Sequence, residues 1–350
     1  MVKSRRLFLL TLVLLGLLLS SMVAIVGCGD STTTTAATSA TTKDSSTAIG
    51  DRALKVLSSN PIPPDDYVAN SIDGTALAKK LADPAQKDKI YLLDIRKKAD
   101  YDKGHIAGAS QVEFAQWAAP ENLSKLPKDK KIIVVCYTGN TAAHAVGGMR
   151  MLGYDAATLV AGMMGWDGSG KDAAITELNS ATNPVVTTPA GSSSPAAPTV
   201  TFGKPSDADY TVLAEKANKV STSMPTEADY ANYTITSAKL KEKLGGADKD
   251  KLFVLDIRKK DVFNMGHIDG ATNIEFRSAA VPDNLKMLPK DKKIVVVCYT
   301  GNTAAHLTEI LNMLGYDTVV LKFGMMSWDG TGKDTYITDI QAAANPVVTS

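Results

Sequence analysis

Apolar positions along this chain fall into sharply different regimes. Leu7 to Val26 is a nearly unbroken apolar run behind Lys3, Arg5 and Arg6. Residues 31 to 50 are mostly Ser, Thr and Ala with no apolar period, so they bury too little surface to offset ordering entropy. Beyond them, short β-branched runs alternate with helical patterns. Ala76 to Leu81 reads as a helix and Ile90 to Asp94 as a strand. Lys97 to Lys103 reads as a polar helix or turn, Gln111 to Phe114 as a strand, and Asn122 to Leu126 as a brief helix closed by Pro127. Ile132 to Val135 is continuously apolar, as in a strand covered on both faces. From about Thr141 the positions Ala142, Ala143, Ala145, Val146, Met149 and Leu152 follow helical spacing up to Gly153. Ala157 to Val160 is the last strand. This alternation predicts an α/β fold with a parallel sheet covered on both faces.

The whole pattern occurs twice. An offset of 162 residues carries Asp94 to Asp256, Arg96 to Arg258, His105 to His267, Cys136 to Cys298, His144 to His306 and Trp166 to Trp328. Upstream the offset grows by one, which places an insertion in a loop near Asp83-Pro84. A domain-sized period means two tandem domains rather than a solenoid. A chain of 350 residues accommodates about two domains.

Chemistry concentrates on two segments, Lys130 to His144 and Lys292 to His306, which differ only at Ile133 and Val295. Each sets a cysteine, Cys136 or Cys298, between the end of a buried strand and the start of a helix, with Gly139 or Gly301 in the intervening loop. Ligands collect at such strand ends in open α/β sheets. A helix amino terminus supplies unpaired N–H groups that favour a thiolate, the nucleophilic form of cysteine. A buried structural cysteine is the plainer reading. The strand-end position, the glycine loop and the repetition in a chain with one other cysteine argue against it.

D-I-R at Asp94 to Arg96, G-H-I-A-G-A at Gly104 to Ala109, C-Y-T-G-N-T at Cys136 to Thr141, L-G-Y-D at Leu152 to Asp155 and G-M-x-x-W at Gly162 to Trp166 stand in this order. They return in order in the second copy. Together they resemble the rhodanese-like family of sulfurtransferase domains. The resemblance implies two tandem rhodanese-like domains, each a doubly wound five-stranded parallel sheet with helices on both faces. It implies that Cys136 and Cys298 carry sulfur as persulfides. The donor would be thiosulfate or another small sulfur compound, and the acceptor cyanide or a thiol, with no cofactor. The loop amides of Tyr137, Thr138, Gly139, Asn140 and Thr141, and of Tyr299, Thr300, Gly301, Asn302 and Thr303, would cradle the anionic sulfur. Asp94 with Arg96, and Asp256 with Arg258, would be supporting charge pairs. Two departures stand out. Tyr137 and Thr138 occupy places where thiosulfate-using members carry cations, and both domains keep a cysteine. Related phosphatases need a longer loop ending in arginine to grip phosphate. Neither loop here contains one.

Ile25-Val26-Gly27-Cys28 resembles the lipobox of bacterial lipoproteins, which implies cleavage before Cys28 and its lipidation. An uncleaved anchor is the alternative, and either reading places the chain outside the cytoplasm, held to the cell membrane on its periplasmic or outer side. Ser4 to Leu9 also resembles a twin-arginine signal, so the export route stays open. The expected organisation is a signal peptide at 1–27, a tether at 28–50, domain one at 51–183, a Pro/Ser/Thr-rich linker at 184–206 and domain two at 207–350. A net charge of +1 without an internal basic tract argues against a nucleic-acid partner.

His105 and His267 are expected to bond backbone and fix their turn. His144 and His306 are expected on the helix surface. Met163, Met164 and Trp166 are expected in the core. The Cys and His spacing does not match a metal site. A membrane-tethered sulfurtransferase is therefore the leading reading, with a non-catalytic sulfur carrier or a protein-binding rhodanese fold as alternatives.

Overall fold

The computed structural model describes residues 45–59, 68–187, 198, 200 and 202–350. The first domain holds five parallel strands: β1 (Ser71–Ile72), β2 (Ile90–Asp94), β3 (Ser110–Gln111), β4 (Lys131–Val135) and β5 (Ala156–Leu159), in the order β1-β5-β4-β2-β3. The second repeats it with β6 (Thr234–Ile235), β7 (Leu252–Asp256), β8 (Thr272–Asn273), β9 (Lys293–Val297) and β10 (Thr318–Leu321), ordered β6-β10-β9-β7-β8. Helices cover both faces of each sheet. The fold is two tandem α/β domains, as the alternation of runs predicts. Among the described residues no helix is long and apolar enough to cross a membrane.

Each central strand divides its side chains between two cores because successive strand residues face opposite ways. Ile133 and Val135 join a cluster confined to the first domain, and Val295 and Val297 a cluster confined to the second. Ile132, Val134, Ile294 and Val296 share one core that runs through both domains. The helices Asn140–Met151 and Asn302–Met313, called here the first and second central helices, meet inside that core. Each is sandwiched between its own sheet and the other helix, so nearly every one of its residues is buried. This overturns the surface placement of His144 and His306, which are 0% and 3% exposed. The face expected to meet solvent meets the other domain.

Two further helices extend the shared core. Ser45–Ser58 buries Ile49, Ala53, Val56 and Leu57, so a helix takes up the last residues assigned to the tether. Asp207–Thr222 is capped by Ser206, whose hydroxyl accepts the Asp209 N–H, and buries Leu213, Ala217 and Val220.

The domains also exchange their carboxyl-terminal segments. After helix Lys171–Asn179, residues 183–186 of the first domain cross to the second. Asn183 N–H donates to Trp328 O, the Trp328 indole donates to Pro184 O, and Val186 pairs antiparallel with His267. Residues 345–348, at the end of the second domain, make the same contacts with Trp166 and His105 of the first. The start of the expected linker is therefore docked structure. The N-P-V-V sequence of residues 183–186 carries the contacts.

Candidate active site

Both cysteines emerge from a central strand onto the shared-core face, in register with Ile132 and Val134 or with Ile294 and Val296. They are free thiols, 1% and 3% exposed. Gly139 and Gly301 cap the central helices with φ of 91° and 88°, a left-handed conformation that glycine adopts without strain. That turn folds the loop over the sulfur. Cys136 Sγ accepts the Gly139 N–H at 3.1 Å and the Ala142 N–H at 3.3 Å. Cys298 Sγ accepts from Gly301 at 3.1 Å and from Ala304 at 3.4 Å. Of the five loop amides expected at each site, the thiol bonds the glycine. Its second donor is an alanine in the first turn of the helix, which sequence reasoning missed. The residue type carries no signal there, because a backbone N–H is the functional group.

The floor of the loop is a short helix, Gly162–Asp167 or Gly324–Trp328. Met163 N–H donates to Cys136 O and Met164 N–H to Tyr137 O; Met325 and Met326 repeat this beneath Cys298 and Tyr299. Two consecutive left-handed residues, Ala161 and Gly162 with φ of 58° and 55°, or Phe323 and Gly324, bring that helix this close. Met163, Met164 and Trp166 are core residues, as expected.

The flank of each loop is a buried ion pair. Arg96 Nη2 bonds Asp94 Oδ2 at 2.7 Å and Gly104 O at 2.7 Å, and its guanidinium lies 5.9 Å from the centre of the Tyr137 ring. Arg258 does the same with Asp256, Gly266 and Tyr299. His105 and His267 each donate from Nδ1 to a carbonyl four residues back and stack on Tyr101 or Phe263, fixing the turn as expected.

The two sites differ at the rim. The Tyr137 hydroxyl donates to Asp100 Oδ2 at 2.6 Å. Burial and then that carboxylate push its pKa up to about 12, and the same bond lowers the Asp100 pKa. The residue equivalent to Asp100 is Val262, so Tyr299 lacks this partner. Beneath the rims the two loops are neighbours. A β-carbon on Gly139 would lie 3.0 Å from Asn302 Oδ1, and one on Gly301 would lie 3.1 Å from Asn140 Oδ1. Thr138, Thr141, Thr300 and Thr303 complete the loops. Cys28 lies outside the described residues.

A family model described as the rhodanese-like domain matches residues 77–169 and again 236–331. The chain belongs to the rhodanese-like family. The putative sulfurtransferase YtwF of Bacillus subtilis is 34% identical over 99 residues, 28% of this chain and 92% of that protein. The thiosulfate sulfurtransferase GlpE of Shewanella oneidensis is 36% identical over 76 residues, 21% of this chain and 73% of that protein. A rhodanese-related protein of Thermoplasma volcanium matches in structure at 29% identity, covering 33% of this chain and 98% of that one, with a TM-score of 0.25. Each relative spans about one domain of this two-domain rhodanese-like chain.

Proposed function

We propose that the protein is a sulfurtransferase whose two domains each form a cysteine persulfide, at Cys136 and at Cys298. The thiolate attacks the outer sulfur of a donor such as thiosulfate, a sulfur–sulfur bond forms, and sulfite leaves with the electrons of the broken bond. A thiol or cyanide then attacks the terminal sulfur and the cysteine thiolate departs. The observation that carries this reading is the pair of N–H donors converging on each Sγ at the start of a central helix, built identically twice. Preorganised donors of this kind stabilise an anionic sulfur without a cationic side chain. The remaining loop residues, with Asp94, Arg96, Asp256 and Arg258, hold the cradle in shape.

Polysulfide and thiosulfate are both candidate donors, since the loop residues themselves are uncharged. The near-complete burial of both thiols favours a second reading, a carrier that loads sulfur and releases it slowly. The lipobox-like segment supports tethering to the outer side of a membrane through Cys28. Membrane fractionation of the full chain beside Cys28→Ser tests that part.

The deciding experiment is intact mass after reduction and exposure to thiosulfate or polysulfide, with Cys136→Ser and Cys298→Ser alongside. Gain of one sulfur per intact cysteine, reversed by cyanide, is expected. A folded protein with free thiols that gains no sulfur from either donor is not a sulfurtransferase. Loading without multiple turnovers selects the carrier.

A further inference from the structure

The exchanged tails end on the floor helix of each cysteine loop and on the turn whose carbonyl holds its flanking arginine. We propose that residues 345–348 of the second domain are positioning residues for the Cys136 loop, and residues 183–186 of the first domain for the Cys298 loop. Each site is then braced by the other domain. The proposal deepens the sulfur-transfer reading and rests on it for its activity arm.

Two routes lead from the tail to the first loop. Along one, Asn345 N–H donates to Trp166 O at 2.9 Å and the Trp166 indole donates to Pro346 O at 3.0 Å. Trp166 closes the short helix whose first N–H groups hold the carbonyls of Cys136 and Tyr137. Along the other, His105 and Val348 exchange both backbone bonds at 2.9 Å, and Val347 packs on Gly104, where a β-carbon would lie 3.2 Å from it. Gly104 O is the acceptor that orients Arg96 beneath Tyr137. The tail therefore contacts the floor helix at Trp166 and the Gly104-His105 turn, whose Gly104 carbonyl holds the flanking arginine.

The second domain repeats the arrangement. Asn183 and Pro184 bond Trp328, Val186 pairs with His267, and Val185 packs on Gly266, whose carbonyl orients Arg258. Such a double exchange makes each loop sensitive to the far domain. The second tail buries little apolar surface: Val347 is 39% exposed and Val348 43%. It contributes mainly hydrogen bonds, so removing it leaves the shared core in place. What changes is the freedom of the floor helix and of Arg96. Small misplacements of a reacting group are costly to rate, on the order of 100-fold for about 1 Å.

The test uses three forms of the full chain: one ending at Ala344, one carrying Val348→Pro and one carrying Val186→Pro. Proline removes the N–H that each valine donates to its histidine. Site-resolved peptide mass after a thiosulfate or polysulfide pulse reports sulfur at Cys136 and Cys298 separately. Amide exchange reports on residues 136–142 and 298–304. The truncation and Val348→Pro are expected to lower loading at Cys136 by about tenfold or more relative to Cys298, and to speed exchange only in residues 136–142. Val186→Pro is expected to do the reverse. Folded point variants that affect both cysteines equally, neither, or the cysteine of the same domain would overturn the proposal. If the unaltered chain loads no sulfur, the sulfur-transfer reading fails, and amide exchange alone still decides whether the tails brace the loops.

Discussion

Gly147 lies against the carbonyl of His306 so closely that a β-carbon on it would come within 2.6 Å of that oxygen. The contact joins the middles of the two central helices, and a β-carbon on the neighbouring Gly148 would come within 2.7 Å of the Trp117 ring. Two glycines in mid-helix oppose helix propensity by about 1 kcal/mol each. They are tolerated because Gly147 lets the second central helix approach and Gly148 admits the Trp117 ring of its own domain. The second central helix has Glu309 and Ile310 at the equivalent places, so the interface is asymmetric.

Gly147→Ala should therefore destabilise the protein, although alanine is the better helix former. The obstruction is a backbone carbonyl that cannot rotate away, and overpacking costs about 1–3 kcal/mol. Urea unfolding checks this. A higher midpoint in the variant would mean that the helices can separate slightly without loss.

Gly162→Ala and Gly324→Ala test the floor of each site. Both glycines have positive φ, and a β-carbon would fall 2.3 Å from the carbonyl of Cys136 or Cys298. The expected outcome is a loss of about 1–3 kcal/mol, with sulfur loading lost first at the cysteine above the altered glycine. Peptide mass resolves the two sites. Equal loading at both cysteines in either variant would show that the floor is dispensable.

The sequence made the central strands legible because their β-branched runs are continuous, and the cysteine position followed from where those runs stop. Edge strands such as Ser71–Ile72 are two residues long and carry no periodicity to read. The cradle was half legible. A glycine loop signals a turn, but the Ala142 and Ala304 donors are backbone groups that any residue supplies. His144 was misplaced because a single domain offers no view of its partner. The apolar residues on nearly every side of that helix were the available signal for burial all round. The tail exchange had a signal too, the repeated N-P-V-V at 183–186 and 345–348, which the Pro-rich composition around the first copy disguised as linker.

The rim predicts a difference between the phenols. Removing a carboxylate that accepts the Tyr137 hydroxyl destabilises the neutral phenol, so Asp100→Val should lower the Tyr137 pKa from about 12. Val262→Asp should raise that of Tyr299 further above its already raised value. Phenolate absorbance against pH measures both, with Tyr137→Phe and Tyr299→Phe assigning the transitions. An unchanged Tyr137 titration in Asp100→Val would mean that burial alone sets it.

The buried pair at the domain interface sets a pH dependence of stability. His144 Nδ1 lies 3.8 Å from Glu309 Oε2, both side chains being fully buried. Neither carboxylate oxygen of Glu309 and neither ring nitrogen of His144 has a hydrogen-bond partner among the described residues. Burial lowers the pKa of His144 and His306 to about 3 and raises that of Glu309 well above 4.5. The folded state thus favours neutral histidines and a protonated carboxyl. Each histidine binds fewer protons folded than unfolded between about pH 3 and 6.5, so each makes stability fall as pH drops through that window. Glu309 binds more protons folded than unfolded above pH 4.5, so it makes stability fall as pH rises, by up to about 1.4 kcal/mol per unit. Glu309→Gln keeps the shape and removes only the second effect. The variant should match the unaltered protein at pH 4 and exceed it in stability at pH 8, where the carboxyl must either ionise in the core or hold its proton at a rising cost. Denaturant unfolding at the two pH values decides it. A variant weaker than the parent at pH 8 would show instead that Glu309 and His144 are an ion pair, whose charges stabilise the interface between the domains.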